Sequence, residues 1–494
     1  MNDFFFSMML LGALSSGGTM PFWAVSNQNG IMPDSNGAIA VVEAYKPFDQ
    51  TKAFQWEAGV RAAISAQSQT PVSYSSSRYN EYLDEFYAGA RWNVLRAKVG
   101  KMHREREFLG ADPVLGSLSV TEGHIVESNN APTMPGYSLI LEPWSIPFTG
   151  EHLQISGLWG DYKTLDNRFV QGALVHRLRA YMRYDTRKHF YVQIGLDHFA
   201  LWGGIPTYSK YAPMEVNLDN YFRICTGRSA SAAGSKSDQM NCLGDHGGAE
   251  QLRMGWRENA WDLTFQYEKP YGDKSGMRFN NIPDGAYTLH WSLKDKDQWV
   301  TDALVEFHYT MWQSGTIHDA EVDSEGNVIH WHASEENRKL NFFGMDGYYT
   351  NGEYKSGWTH FGRCIGAPLF TTARKKEVWQ VVNNRYKAVH FGLSGKLFRA
   401  APYRLMLTWS DNYGTYSSPL VEGSKTTANS GWNWWEPNTI DQGLKQFSAA
   451  FTGFVPLNID RHLGLDIVYG LYADAGELLS NSFAVTAGVR FTLK

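Results

Sequence analysis

The chain has 494 residues, 43% hydrophobic and 14% aromatic, with 19% charged residues and a formal net charge of −5. That is ample for a large core, and the absence of a basic signature argues against a nucleic-acid partner. No apolar run approaches the roughly 18–20 residues of a membrane helix, which excludes a helical span but not a barrel, whose strands are short and alternate.

The longest oily stretch, "FFFSMMLLGAL" from Phe4 to Leu14, follows Asp3, where a signal peptide would carry Lys or Arg. It reads as a first strand, with any export signal lying outside this numbering. "WEAGVRAAI" puts Trp56, Val60 and Ile64 on one parity and Glu57 and Arg61 on the other. The stretch 103–135 does not alternate and reads as a plug or an end-capping segment. In "ALVHRLRAYMRY" Leu174, Leu178 and Met182 oppose Arg177, Arg179 and Arg183, and "HFYVQIGLD" alternates equally cleanly. A long loop follows over 203–248. It holds Cys225 and Cys242, which bracket small residues and in an oxidising compartment could close a disulfide worth about 3 kcal/mol; two unpaired thiols are the alternative. Neither these nor Cys364 has zinc-site spacing.

"QLRMGWRENAWDLTFQYEK" is two strands joined by a tight "RENA" turn. "DALVEFHYTM" is followed by a polar loop over 315–345. "KAVHFGLSG" and "YRLMLTW" precede a third loop over 414–438. "KQFSAAFTGFV", "HLGLDIVYGLY" and the closing "SFAVTAGVRFTLK" complete about eighteen segments of roughly 9–11 residues, the length of a tilted transmembrane strand.

Alternating strands suit a soluble sandwich or propeller, with oily sides inward, or a membrane barrel, with oily sides outward. Three features favour the barrel. No repeat of about 40–50 residues appears. The polar parity is poor in the Lys and Glu of soluble surfaces. Aromatics cluster at the ends of oily faces, as in Tyr403 to Trp409. A terminal ribbon such as Ser482 to Lys494 is stable when it closes a ring and leaves no free edge. The predicted fold is an all-β, transmembrane antiparallel barrel spanning 1–494 as a single domain, with long outer loops and a partly plugged lumen, in a bacterial outer membrane.

Several irregular stretches, in order along most of the chain, resemble the capsule-assembly Wzi family of outer-membrane proteins, in the form common among Bacteroidetes-type bacteria. They are "GGTMPFWAVSNQNGI", "VGKMHREREFLGADPVLGSLSVTEGHIVESNNAPTMPGYSL", "GLDHFALWGG", "GDHGGAEQLRMGW", "DGYYTNGEYKSGWTHFGRCIGAPLF" and "YRLMLTWSDNYGTY". The resemblance implies an outer-membrane barrel that holds or assembles surface polysaccharide without catalytic chemistry or a cofactor. The chain departs from many barrel proteins in ending on Lys494, its nearest aromatic being Phe491.

Sugar recognition needs aromatic faces for apolar ring faces and polar groups for hydroxyls. "SGWNWWEPN" offers Trp432, Trp434 and Trp435, with a loop-closing aromatic cluster as the alternative. "DGYYTNGEYKSGWTH" offers Tyr348, Tyr349, Asn351, Tyr354 and Trp358, with packing between plug and wall as the alternative. Arg104 and Arg106, and the stripe Arg177, Arg179 and Arg183 with Arg96 and Lys98, could attract an acidic polymer or pair with lumen carboxylates such as Asp302, Glu306 and Asp466. The acidic hairpin "HDAEVDSEGNVIHWH" matches no known metal cage, and no metal is expected. Asp197 and His198, adjacent on a strand, should face opposite ways. No nucleophile elbow, zinc-protease or phosphate-loop motif appears. The predicted function is polysaccharide binding in capsule assembly or retention. A carbohydrate-selective channel or a membrane-embedded lipid or glycan hydrolase is the alternative. The expected partners are capsular polysaccharide, outer-membrane lipid and lipopolysaccharide, and other envelope proteins.

Overall fold

The computed structural model describes residues 4–48, 52–69, 78–103, 109–110, 112, 114–208, 213–231, 238–239, 242–272, 274–277, 279, 281–313, 320–322, 328–331, 347–375, 377–424, 426–427, 439–459 and 463–493. Eighteen strands form a closed antiparallel barrel. They are β1 (Phe5–Ser15), β2 (Gly37–Lys46), β3 (Phe54–Gln67), β4 (Tyr79–Trp92), β5 (Leu95–Lys101) and β6 (Pro135–Ser145). Next come β7 (Leu153–Lys163), β8 (Leu174–Asp185), β9 (Phe190–Trp202), β10 (Asp245–Arg257), β11 (Trp261–Tyr271) and β12 (Gly285–Leu293). The last six are β13 (Asp302–Tyr309), β14 (Arg385–Leu397), β15 (Ala401–Thr415), β16 (Leu444–Asn458), β17 (Leu463–Gly476) and β18 (Ser482–Leu493).

Each strand pairs with its neighbours in sequence, and the ring shuts where β1 meets β18, from Phe6 opposite Leu493 to Ser15 opposite Ala484. In hydrocarbon an unpaired backbone N–H or C=O costs several kcal/mol, so closure is what makes these strands stable there. The side-chain parity follows. On β18 Phe483 is 51% exposed and Ala484 fully buried, and Val485 and Phe491 look out while Thr486 and Thr492 look in. Trp56, Val60 and Ile64 of β3 also face out, against buried Glu57 and Ser65. Oily sides thus meet lipid and polar sides line the lumen.

The connections differ by end. Short turns such as 93–94, 186–189 and 258–260 stand at the end where the chain enters and leaves the ring; 16–36, 102–134, 203–244, 310–384 and 416–443 stand at the other. In outer-membrane barrels short turns face the periplasm and long loops the exterior.

Three outer connections fold into the lumen. Residues 16–36 carry α1 (Phe22–Val25), whose Trp23 donates from Nε1 to Thr408 Oγ1 at 3.0 Å. The described part of 102–134 descends the full height. Gly110, Asp112 and Gly116 line a cavity of about 460 Å³ together with Thr301, Ser394 and Lys396 near the short turns, and Arg404 Nη1 donates to the Ser117 carbonyl at 2.9 Å. Higher up, Val120 N–H donates to Glu306 (2.8 Å) and Ile125 N–H to Glu268 (3.2 Å). These two buried carboxylates therefore take the place of strand partners for a backbone that has none. The third insertion, 347–370, caps this plug from above: Tyr349 Oη donates to the Ile125 carbonyl (2.9 Å) and Trp358 Nε1 to that of Val126 (2.6 Å).

At the closing seam a Cβ on Gly488 would stand 2.0 Å from the Leu10 carbonyl oxygen across the strand pair. Gly488→Val is expected to block ring closure and abolish the heat-modifiable shift of the folded protein in gel electrophoresis. Ala487→Val, on the lipid side of the next position, should keep the shift.

Candidate functional site: a basic cavity in the lumen

The plug does not fill the ring evenly. Between it and the inner wall of β5 to β10 lies a cavity of about 490 Å³, lined by Arg96, Lys98, Arg179, Arg183, Arg253, His103, His124, Tyr162 and Tyr181, with Glu127 and Glu142 the carboxylates of its lining among the described residues. The lining extends down to Glu142, Gln154 and Arg183, close to the short-turn ends of β6, β7 and β8.

Strand alternation puts these cations on one wall. Arg177, Arg179, Tyr181 and Arg183 share the inward parity of β8, and Arg96 and Lys98 that of β5. Carboxylates behind them fix their direction. Glu57 of β3 receives Arg96 through two bonds, Nε to Oε1 at 2.8 Å and Nη2 to Oε2 at 2.6 Å. Asp197 of β9 receives Arg177 Nη2 and Arg179 Nε, each at 3.0 Å, and Glu127 of the plug receives Arg177 Nη1 at 2.9 Å and also Arg179 Nη2. Arg183 donates to Asp185 (3.0 Å) and lies 3.7 Å over the Tyr191 ring, and Arg253 Nε donates to Gln266 Oε1 at 2.7 Å. Two-point guanidinium–carboxylate bonds and stacked rings hold long side chains in one orientation. The result is a preorganised array of N–H donors suited to carboxylate or phosphate groups.

The structure thus brings together the sequence-predicted Arg177, Arg179, Arg183, Arg96 and Lys98, with Arg177 held furthest from the cavity by its two carboxylates. The carboxylates expected to satisfy this stripe are occupied elsewhere. Asp466 holds Arg490 (Nε to Oδ2, 2.9 Å), Asp302 holds Lys296 and His290, and Glu306 holds the plug. The true partners, Asp197, Glu127, Glu57 and Asp185, come from other strands and the plug. Arg253 stood on the polar parity of "QLRMGW" but was not singled out; its alternation with Leu252 and Met254 was the available signal. Asp197 and His198 do face opposite ways: Asp197 points in, and His198 Nε2 meets His246 Nδ1 at 2.9 Å on the outside.

The "DGYYTNGEYKSGWTH" aromatics lie apart from this cavity and are buried in the cap. Tyr348 donates to Asp284 (2.7 Å), Tyr354 to the Gly203 carbonyl (3.0 Å), and Trp358 stacks on Phe199 with centroids 3.8 Å apart. Asn351 Oδ1 accepts from the backbone N–H groups of Glu353 and Tyr354 and shapes their turn. Packing between plug and wall therefore occupies ring faces that were candidates for sugar. Cys225 and Cys242 are not joined by a disulfide in this structure, and Cys242 Sγ is turned to the Gly227 carbonyl at 3.2 Å. Arg104, Arg106, Trp432, Trp434 and Trp435 lie outside the described residues, as does most of 315–345.

These features define the class: a bacterial outer-membrane β-barrel whose lumen is plugged from the outer side. Among solved structures the chain is similar to Wzi, an outer membrane protein involved in group 1 capsule assembly in Escherichia coli and a carbohydrate-binding β-barrel, with 11% identity, a TM-score of 0.54 and coverage of 98% of this chain and 83% of that one. It is also similar to Acinetobacter baumannii OccAB2 (9% identity, TM-score 0.43, 100% and 98% covered) and to the Pseudomonas aeruginosa outer membrane protein opdK (10%, 0.43, 100% and 99%). At these identities the likeness is one of fold. No protein-family model and no curated protein matches the chain.

The cap has its own electrostatic consequence. Asp284, in the connection before β12, is fully buried, and desolvation pushes its carboxyl up to about 7 against the opposing pull of the Tyr348 hydroxyl and the Trp312 N–H. A carboxyl raised in the folded state takes up a proton on folding between its unfolded and folded pKa, so its contribution is lost as pH rises through about 7. Asp284→Asn should flatten the fall in thermal stability of the detergent-solubilised protein between about pH 5 and about pH 8; an unchanged pH slope would refute this assignment.

Proposed function

We propose that this barrel is a non-enzymatic binder of an acidic surface polysaccharide and assists its assembly into, or retention in, a capsule, as the resemblance to the Wzi family implies. The observation that carries the reading is the cavity wall of Arg96, Lys98, Arg179, Arg183 and Arg253, steered by carboxylates set behind it. An acidic glycan offers repeated carboxylates, each able to accept from a guanidinium fork, and a low-dielectric lumen strengthens each such bond. Tyr162 and Tyr181 add aromatic edges to the same lining. The solved barrel with the similar fold is itself described as carbohydrate-binding, which accords with the reading. The plug reaching the short turns speaks against a freely conducting channel.

A bond from a charged donor contributes about 1.5–3 kcal/mol net, so Arg183→Gln and Arg253→Gln should each weaken binding of purified acidic capsule by roughly tenfold or more. Binding of a neutral glycan should be unaffected. Unchanged affinity in both variants, with binding abolished by Trp432→Ala, Trp434→Ala and Trp435→Ala together, would move the site to the outer loops. Steady single-channel conductance in planar bilayers would favour the channel alternative.

A further inference from the structure

The lipid-facing belt is lopsided. Around β17, β18 and β1 the outward parity is apolar along the whole strand, ending at the outer rim in Leu14, 70% exposed, and Phe483. Around β7 to β11 the outer third of the same parity includes charged and imidazole side chains among apolar ones. Asp161, His176 and His246 stand in one cross-strand row, with Asp161 opposite His176 and both His176 and His246 opposite Ala200. Glu250 is opposite Lys269 on the next pair, its carboxylate 2.6 Å from the Lys269 ammonium. Charged and imidazole groups at this height would be costly against acyl chains.

Two outer connections fold back over the outside of the wall and cover these groups. The first carries α2 (Leu218–Thr226), which ends at Gly227 in the left-handed conformation (φ 59°). Its Tyr221 and Ile224 face the barrel: Tyr221 Oη donates to Asp161 Oδ2 at 2.8 Å and accepts from Trp159 Nε1 at 3.1 Å, and Ile224 is fully buried with Ala200 and Trp202. The described part of the second, residues 272, 274–277, 279 and 281–284, seals Lys269, whose ammonium donates to Asn281 Oδ1 at 3.1 Å and to the Gly276 carbonyl and lies 4.6 Å from the Phe279 ring. Each covering segment turns apolar side chains away from the wall. Leu218 and Phe222, one helical turn apart, are 75% and 64% exposed; Val216, Met277 and Ile282 are exposed as well.

We propose that α2 and the 272–284 connection are membrane-interface elements that lie in the outer leaflet against lipid acyl chains. They replace the stretch of belt in which the strands themselves carry charged and imidazole groups. The occupant follows from continuity. The segments sit on the outer wall of the barrel, level with the outermost residues of β8 and β9, and their apolar face continues the lipid-facing surface of Leu178, Met182 and Ile194 below. A short helix with one face docked and one apolar face at the boundary is the geometry of an interfacial element. This inference is independent of what the lumen binds.

The test uses the full chain with Cys225→Ser, Cys242→Ser and the buried Cys364→Ala, refolded in phosphatidylcholine–phosphatidylglycerol vesicles and checked by heat-modifiable mobility. Single cysteines at Leu218→Cys or Met277→Cys carry an environment-sensitive fluorophore. Phe483→Cys serves as the lipid-facing reference and Glu422→Cys, on an outer loop, as the aqueous one. The expected result is a blue-shifted emission at both test positions, severalfold loss of intensity with nitroxide-labelled lipid, and little loss with aqueous iodide, as at Phe483→Cys. Iodide quenching equal to that at Glu422→Cys overturns the proposal. So does insensitivity to lipid nitroxide combined with energy transfer between labelled copies, which would assign the face to a second molecule of this chain.

Discussion

The whole structure depends on closing the backbone hydrogen-bond ladder between the first and last strands. Once β1 and β18 pair, no edge remains, and the only unsatisfied surface is side-chain surface, which strand alternation sorts into two sets. Every later feature answers to that sorting. The outward set is solved by lipid. The inward set, rich in Arg, Asp, Glu and His, must find partners in a narrow cylinder.

The lumen answers this in two ways on its two sides. On the β11 to β15 side the chain supplies its own filling. Glu268 and Glu306 accept N–H donors of the descending plug, and His390 meets the Leu118 carbonyl at 2.8 Å. On that side Glu268 and Glu306 are committed to the main chain of the plug. On the β5 to β10 side the carboxylates Glu57 and Asp197 are spent in orienting guanidiniums, and the plug stands back to leave the cavity. One side is built to hold a plug in place, and the other to present aligned donors.

The fold was legible in the sequence because period two is a local property. Val485 and Thr486 differ in environment for the same reason they differ in parity, and eighteen such ribbons with a ring-closing end leave few architectures. The plug was legible only as a failure of alternation over 103–135, since nothing local says that Val120 will meet Glu306, 186 positions away. The cavity was half legible. The parity that groups Arg177, Arg179 and Arg183 is local, but strand register is not: it sets Asp197 opposite Arg179 and puts Arg253 in the row of Gln193 and Arg183, and Glu127 arrives with the plug. The aromatic run Tyr348 to Trp358 left sugar binding and packing between plug and wall equally open for the same reason. Its composition suits sugar, but its partners, the Ile125 and Val126 carbonyls, belong to a segment more than two hundred positions earlier.

The placement of the cations bears on what kind of binding the barrel can sustain. Attraction between exposed charges is largely screened beyond about 8 Å at physiological ionic strength, so basic outer loops alone would hold an acidic polymer weakly in saline surroundings. The side chains of Arg96, Lys98 and Arg179 are 10%, 6% and 12% exposed. Few counter-ions reach between such groups and a carboxylate lodged beside them, and their orienting partners already hold them in place, so little side-chain entropy remains to be lost on binding. A ligand group must shed its water to enter, a cost that donors in fixed positions offset and a mobile loop does not. Under the proposed reading, such an arrangement would favour slow release of an acidic segment over rapid exchange, as retention of a polymer requires.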